Sequence, residues 1–136
     1  MIQVYSKNVT VAATTAIPFN STSLLKGCTT DKTGLSTITL NKAGIYMISF
    51  DAAVVGSAAG VISVQLSKNG TLLPEATTSE TTANTTDIHS ISFETLVQVS
   101  QDNSCRCSDS GVTISVINTG IQATYNQANV IVTKIC

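Results

Sequence analysis

The sequence predicts a single all-β domain over residues 1–136, a sandwich of antiparallel strands. Three observations predict it. First, Gly44-Ile45-Tyr46-Met47-Ile48-Ser49-Phe50-Asp51-Ala52-Ala53-Val54 alternates with period two: Tyr46, Ile48, Phe50, Ala52 and Val54 fall on one face, Ile45, Met47, Ser49, Asp51 and Ala53 on the other. That is the pattern of a strand with one face on a core. Second, only 11% of residues are charged, so Thr, Ser, Asn and Gln must supply the polar surface. β-Branching and side-chain-to-backbone bonding make these poor helix residues and good exposed strand residues. Third, strand-length apolar runs recur at short intervals with turn signals between them. At 136 residues the chain suffices for one sizeable core and is too short for two.

Gln3 to Ala13 reads as the first strand, interrupted at Lys7-Asn8, and Ala16 to Phe19 as the second, with Pro18 suiting an edge or a strand start. Ser21 to Thr33 reads as a loop carrying Cys28. Leu35 to Leu40 is a strand ending at the turn Asn41-Lys42-Ala43-Gly44, and the Gly44 strand follows. After the turn Ser57-Ala58-Ala59-Gly60, Val61 to Ser67 alternates Ile62, Val64 and Leu66 against Val61, Ser63 and Gln65. Lys68-Asn69-Gly70-Thr71 is the clearest hairpin signal, because Asn-Gly tolerates the positive φ angles of a two-residue turn. Leu72-Leu73 opens the return strand. Glu75 to Asp87 is nearly all Thr, Ser, Glu, Ala and Asn, and is expected to be a loop containing a short strand. Ile91, Phe93, Thr95, Val97 and Val99 form the next alternating face. Val112 to Ile117 and Ala128 to Ile135 complete the set around the turn Asn118-Thr119-Gly120. The expected total is eight to ten strands.

Several function classes are disfavoured. The net charge is -1, so no basic patch for nucleic acid is present, and no run approaches the roughly 20 apolar residues of a membrane span. Met1-Ile2-Gln3-Val4-Tyr5 begins directly with strand alternation, and no secretory leader is read from it. The triplets at Asn8, Asn20, Asn69 and Asn84 match the N-glycosylation pattern, which threonine abundance explains by chance. Gly56-Ser57-Ala58-Ala59-Gly60 lacks the lysine and helix of a phosphate loop. No cofactor is expected. The single histidine, His89, would share a strand face with Asp87, so a metal chelate built from three symmetry-related copies is conceivable. Its register with Ile91 and Phe93 favours a plain structural place, and no metal or catalytic residue is assigned.

The chain has four cysteines, Cys28, Cys105, Cys107 and Cys136, all disulfide candidates. A bridge between residues two apart is strained. If all pair within one chain, Cys28 therefore joins Cys105 with Cys107 to Cys136, or Cys28 joins Cys107 with Cys105 to Cys136. Each bridge would stabilise by about 2 to 4 kcal/mol. Bridging between subunits through Cys136 stays open. A four-cysteine zinc site would lack the usual C-x2-C pairs, and no histidine or helix terminus activates a thiol.

Leu40-Asn41-Lys42-Ala43-Gly44-Ile45-Tyr46-Met47-Ile48-Ser49-Phe50 resembles the "aG.Y.isf" signature of C1q- and TNF-like jelly rolls. Val64-Gln65-Leu66-Ser67-Lys68-Asn69-Gly70 resembles the strand and Asn-Gly hairpin that follow it in that family. The last two strands also sit where the family has its own, so the resemblance runs from about Leu35 to Lys134. It implies a C1q/TNF-like jelly-roll sandwich assembled as a homotrimer, with the strand of Tyr46, Ile48 and Phe50 at its core and trimer region. Apolar residues on both faces of the Gly44 strand and Val61 independently suggest a surface that an oligomer covers.

The run from Thr119 to Cys136 is similar to the end of small phage or prophage head-fibre and capsid-decoration proteins of this fold. The resemblance implies a non-enzymatic structural protein of a bacteriophage virion, partnered by itself and by capsid or fibre proteins, with host-surface glycans as a further partner. Cysteines without a leader fit a protein made in the host cytoplasm and then exposed on the particle. The alternatives are a receptor- or glycan-binding module of a phage fibre, and a secreted or spore-surface ligand. A sugar site would want rings on loops, and Tyr125 is the single ring expected there.

Overall fold

The computed structural model describes residues 1–100 and 112–136. Its strands are β1 (Ile2–Val11), β2 (Thr15–Ala16), β3 (Ser21–Leu25), β4 (Thr30–Lys32), β5 (Ile38–Leu40), β6 (Gly44–Gly56), β7 (Gly60–Lys68), β8 (Thr71–Thr82), β9 (Ile88–Val99), β10 (Val112–Asn118) and β11 (Ala123–Lys134). They form two antiparallel sheets. One is five-stranded in the order β3-β1-β11-β6-β9; the other is six-stranded, β4-β5-β10-β7-β8 with the two-residue β2 on β10. Chain neighbours rarely pair within a sheet, because the chain repeatedly crosses between sheets, as a jelly roll does. Among the described residues no helix is long and apolar enough to cross a membrane.

The alternation read from the Gly44 strand is the rule of the whole molecule. Tyr46, Ile48, Phe50 and Val54 are fully buried, as are Ile62, Val64 and Leu66 on β7 and Val4 on β1. Phe50 stacks on Phe93 of β9, with ring centroids 5.2 Å apart. Asn69 and Gly70 take φ angles of 52° and 85°, the positive values a tight hairpin turn requires. Gly44, at φ 147°, begins β6 where the chain end folds back: a Cβ there would run into the Cys136 carbonyl oxygen.

Two expected loops are strands. Ser21 to Thr33 contains β3 and β4, and Glu75 to Asp87 contains most of a 12-residue β8. Both lie at sheet edges, where polar residues are at home and apolar alternation is weak. The strands therefore number eleven among the described residues, one more than the upper expectation. The segment Ala16 to Phe19 contributes only the short β2, since Ile17 and Phe19 turn inward as buried core residues. β11 begins at Ala123 rather than Ala128, and Tyr125, expected on a loop, is a fully buried strand residue.

Candidate self-association surface

Period two decides which side chains the protein offers outward. Because Tyr46, Ile48 and Phe50 are 0% exposed within one chain, they build the core, and the residues between them face out. On the five-stranded sheet, register places these residues in rows across the strands. One row runs Leu24, Gln3, Ile131, Ser49, Glu94. The next contains Thr133, Met47 and Leu96, and another runs Tyr5, Asn129, Asp51, Ser92. Ile45 and Val55 lie beyond them on β6, beside Gln98 and Ile88. Leu96 and Ile88 are 58% and 64% exposed.

A line of amides and one carboxylate crosses this apolar field. Gln3 Nε2 donates to Asn129 Oδ1 at 3.1 Å, and Asn129 Nδ2 donates to Asp51 Oδ1 at 3.2 Å. These bonds fix three side chains from three strands and leave the apolar residues on either side uncovered.

The outward face of the six-stranded sheet is different in chemistry. Thr113 and Ser115 on β10, Ser63 and Gln65 on β7 and Thr39 on β5 occupy most of the corresponding positions, with Val61 at 47% exposure and Ile117 as the apolar members. Thr119 Oγ1 bonds Ser63 Oγ at 2.8 Å. A shallow groove of about 410 Å³ lies on this side, its lining including Thr37, Ser67, Leu72, Thr113, Ser115 and Ile117.

His89 is on β9 opposite Val54, on the inward side, and its Nδ1 lies 3.7 Å from Glu80 Oε1 of β8. It therefore links the open edges of the two sheets. Among the described residues no group of three or more His, Cys, Asp or Glu is placed to hold a metal ion.

Cys28 and Cys136 are both exposed and lie at one end of the sandwich. Asn41 Nδ2 donates to the Cys28 carbonyl at 3.4 Å, while the N–H of Ile45, four residues along the same turn, donates to the Cys136 carbonyl at 3.3 Å. Cys105 and Cys107 lie outside the described residues. β9 ends and β10 begins at this same end: Val99 pairs with Gly44, and Val112 with Leu40.

No family model matches the chain, and no curated protein matches it in sequence. Its likenesses are to solved structures. Eiger TNF from S. frugiperda superposes with a TM-score of 0.72 at 13% identity, over 99% of this chain and 92% of that one. The globular domain of zebrafish complement 1qA gives 0.62 at 11% identity, over 95% and 90%. Vertex protein P5 of PRD1 gives 0.59 at 17% identity, over 99% and 96%. The fold is thus the C1q/TNF-like jelly roll that the Gly44 and Asn-Gly segments resembled.

Proposed function

We propose that the chain is a non-enzymatic structural protein of a bacteriophage virion, a trimeric head fibre or capsid-decoration protein made in the host cytoplasm and exposed on the particle. The observation that carries self-association is the chemical difference between the two outward faces. Tyr5, Ile45, Met47, Leu96 and Ile131 crowd one sheet, whereas on the other Val61 and Ile117 are set among hydroxyls and an amide. A cyclic trimer covers the first face and leaves the second in water. The virion assignment draws on the likeness to PRD1 vertex protein P5 along nearly the whole chain and on the C-terminal resemblance. Against catalysis stands the setting of His89, turned inward with a carboxylate for neighbour.

The partners in this reading are two further copies and a capsid or fibre protein. A glycan-binding role is the second reading, and the hydroxyl-lined groove on the six-stranded sheet favours it, since hydroxyls with flanking Leu72 and Ile117 match the mixed polar and apolar surface of a neutral sugar. Light scattering on the purified chain tests the first reading: three times the chain mass of 14.1 kDa is expected, with and without reductant. A monomer at hundreds of micromolar overturns it. A trimer seen only in the absence of reductant would instead assign the assembly to disulfides.

A further inference from the structure

Among the described residues, the outward face of the five-stranded sheet carries one cation and two carboxylates: Lys7 on β1, Asp51 on β6 and Glu94 on β9. The charges are segregated, the cation toward one side of the sheet and the acids toward the other. β3 pairs with β1 only from Ile2 to Tyr5, so at Lys7 β1 is itself the sheet edge, and the lysine there is exposed. Toward β9 lies a hollow of about 310 Å³ whose lining includes Asp51, Ala53, Ser90, Ser92 and Gln127. Ala53, Ser90 and Ser92 are small and leave the space open; Asp51 supplies its charge. Asp51 Oδ1 accepts from the Asn129 amide at 3.2 Å, which leaves Oδ2 for a partner. Neither Lys7 nor Asp51 is ion-paired among the described residues. Two strand spacings and one row, about 12 Å between backbones, separate them within one chain, too far for the pair to close in a single copy.

Register sets these groups level with one another. Lys7, Gln127, Ala53 and Ser90 form a single row, and Asp51 and Ser92 belong to the next. A ring contact is heterologous: each copy offers two different patches, and closure requires that they fit each other. Rotation about an axis along the strands preserves height, so those patches must share rows, as the lysine and the hollow do. We infer that Lys7 of one copy enters the hollow of the next, its stem over Ala53 and Ser90 and its ammonium at the Asp51 carboxylate. Asp51 is one row, about 7 Å, along the strand from the lysine's own row, an offset that the flexible four-carbon stem spans. Glu94 stands two rows away, so Asp51 is the acid within reach. This inference rests on the trimer reading above and assigns the residues that select the neighbour.

Charge reversal tests it, read by the concentration at which the trimer dissociates, with circular dichroism confirming the strand content of each variant. Lys7→Glu sets two carboxylates against each other at every contact, and Asp51→Lys sets two ammonium groups there. Each is expected to raise the dissociation concentration at least about tenfold, since like charges juxtaposed at an interface oppose association. The two changes move the net charge in opposite directions, so a weakening common to both is not a net-charge effect. Together in one chain they restore opposite charges at every contact, because both patches ride on the same molecule, and assembly should return to near the unmodified level. Asp51→Asn keeps an oxygen for the Asn129 amide and removes only the charge, and it too should weaken assembly. Reversals without effect, an Asp51→Asn chain that assembles like the unmodified one, or a double variant as weak as the single ones overturn the docking while leaving the trimer intact. An unmodified chain that is monomeric overturns the trimer itself before any variant is made.

Discussion

The two outward faces of this sandwich are built on the same inward logic and diverge only in the residues between. β6 buries Tyr46, Ile48 and Phe50; β7 buries Ile62, Val64 and Leu66. The intervening residues are Ile45, Met47, Ser49 and Asp51 on β6, but Val61, Ser63, Gln65 and Ser67 on β7, with a single apolar member. Alternation makes a sheet, and the second register of the alternation decides what the sheet is for. A strand apolar in both registers is satisfied only by burial on both sides, and β6 has one side without cover in a single chain.

Placing charge on each face in turn tests that difference most strongly. Met47→Lys with Ile131→Lys puts ammonium groups into the face proposed to be covered, where an unpaired buried charge costs several kcal/mol. The expected product is a folded monomer at concentrations where the unmodified chain is trimeric, measured by light scattering. Thr113→Lys with Ser115→Lys on the other sheet should leave the mass unchanged. Equal effects on the two sheets would remove the distinction between them.

A smaller effect, common to both sheets, comes from Asn118 at the end of β10. Its side chain is fully buried, and its Nδ2 lies within hydrogen-bond distance of the carbonyls of Val11 at 3.1 Å, Ala12 at 3.3 Å and Ile121 at 2.9 Å. One amide thus ties the end of β1, in the five-stranded sheet, to the turn leaving β10, in the six-stranded sheet. Asn118→Ala strands those carbonyls and should cost about 2 to 3 kcal/mol in a urea titration, with trimer mass retained below the transition. A loss of assembly without loss of stability would mean that the turn, and not the sheet face, makes the contact.

Cysteine state is worth about as much. Either connectivity between Cys28, Cys136 and the Cys105 and Cys107 pair would stabilise by about 2 to 4 kcal/mol per bridge. Cys28 and Cys136 lie at the same end of the sandwich as Val99 and Val112, which supports that proposal. Thiol titration of denatured protein prepared without reductant should find no free thiol; four free thiols would sink it.

The central strands were legible because their alternation is strong: the Gly44 strand, the Val61 strand and the Asn69-Gly70 hairpin stand where the residues put them. The edges were not. β3, Ser-Thr-Ser-Leu-Leu, and β8, with Pro74 and a run of Thr and Glu, carry no consistent period because an edge strand packs weakly and is wetted on more than one side. Leu24 and Leu25, 40% and 52% exposed, lie inside that unread edge. Half of the proposed association surface could be found from the apolar second register of β6; Tyr5 and Ile131 join it only through pairings of β1 and β6 with β11, which no local pattern encodes.

The subtlest test compares two buried tyrosines, both inward. The Tyr46 hydroxyl donates to the carbonyl of Lys42 at 2.8 Å and lies within hydrogen-bond distance of that of Thr29 at 3.2 Å, fastening the β5–β6 turn near the segment before β4. The Tyr125 hydroxyl meets no hydrogen-bond partner among the described residues. Burial raises the pKa of both hydroxyls above the ordinary tyrosine value; for Tyr46 the Lys42 backbone bond offsets part of that rise. A raised folded-state pKa means that the unfolded chain ionises first. The stabilisation is complete below the unfolded value of about 10 and is lost as pH climbs above it toward the folded values, so stability should fall on the alkaline side. Tyr125→Phe removes an uncompensated polar atom and the larger ionisation penalty, and should change stability at neutral pH by less than about 1 kcal/mol while flattening the alkaline fall. Tyr46→Phe should cost about 1 to 2 kcal/mol at neutral pH, because the turn loses its tie. Urea midpoints of the two variants at neutral pH and above pH 10 read both effects. A Tyr125→Phe loss as large as that of Tyr46→Phe would mean that the Tyr125 hydroxyl has a partner after all.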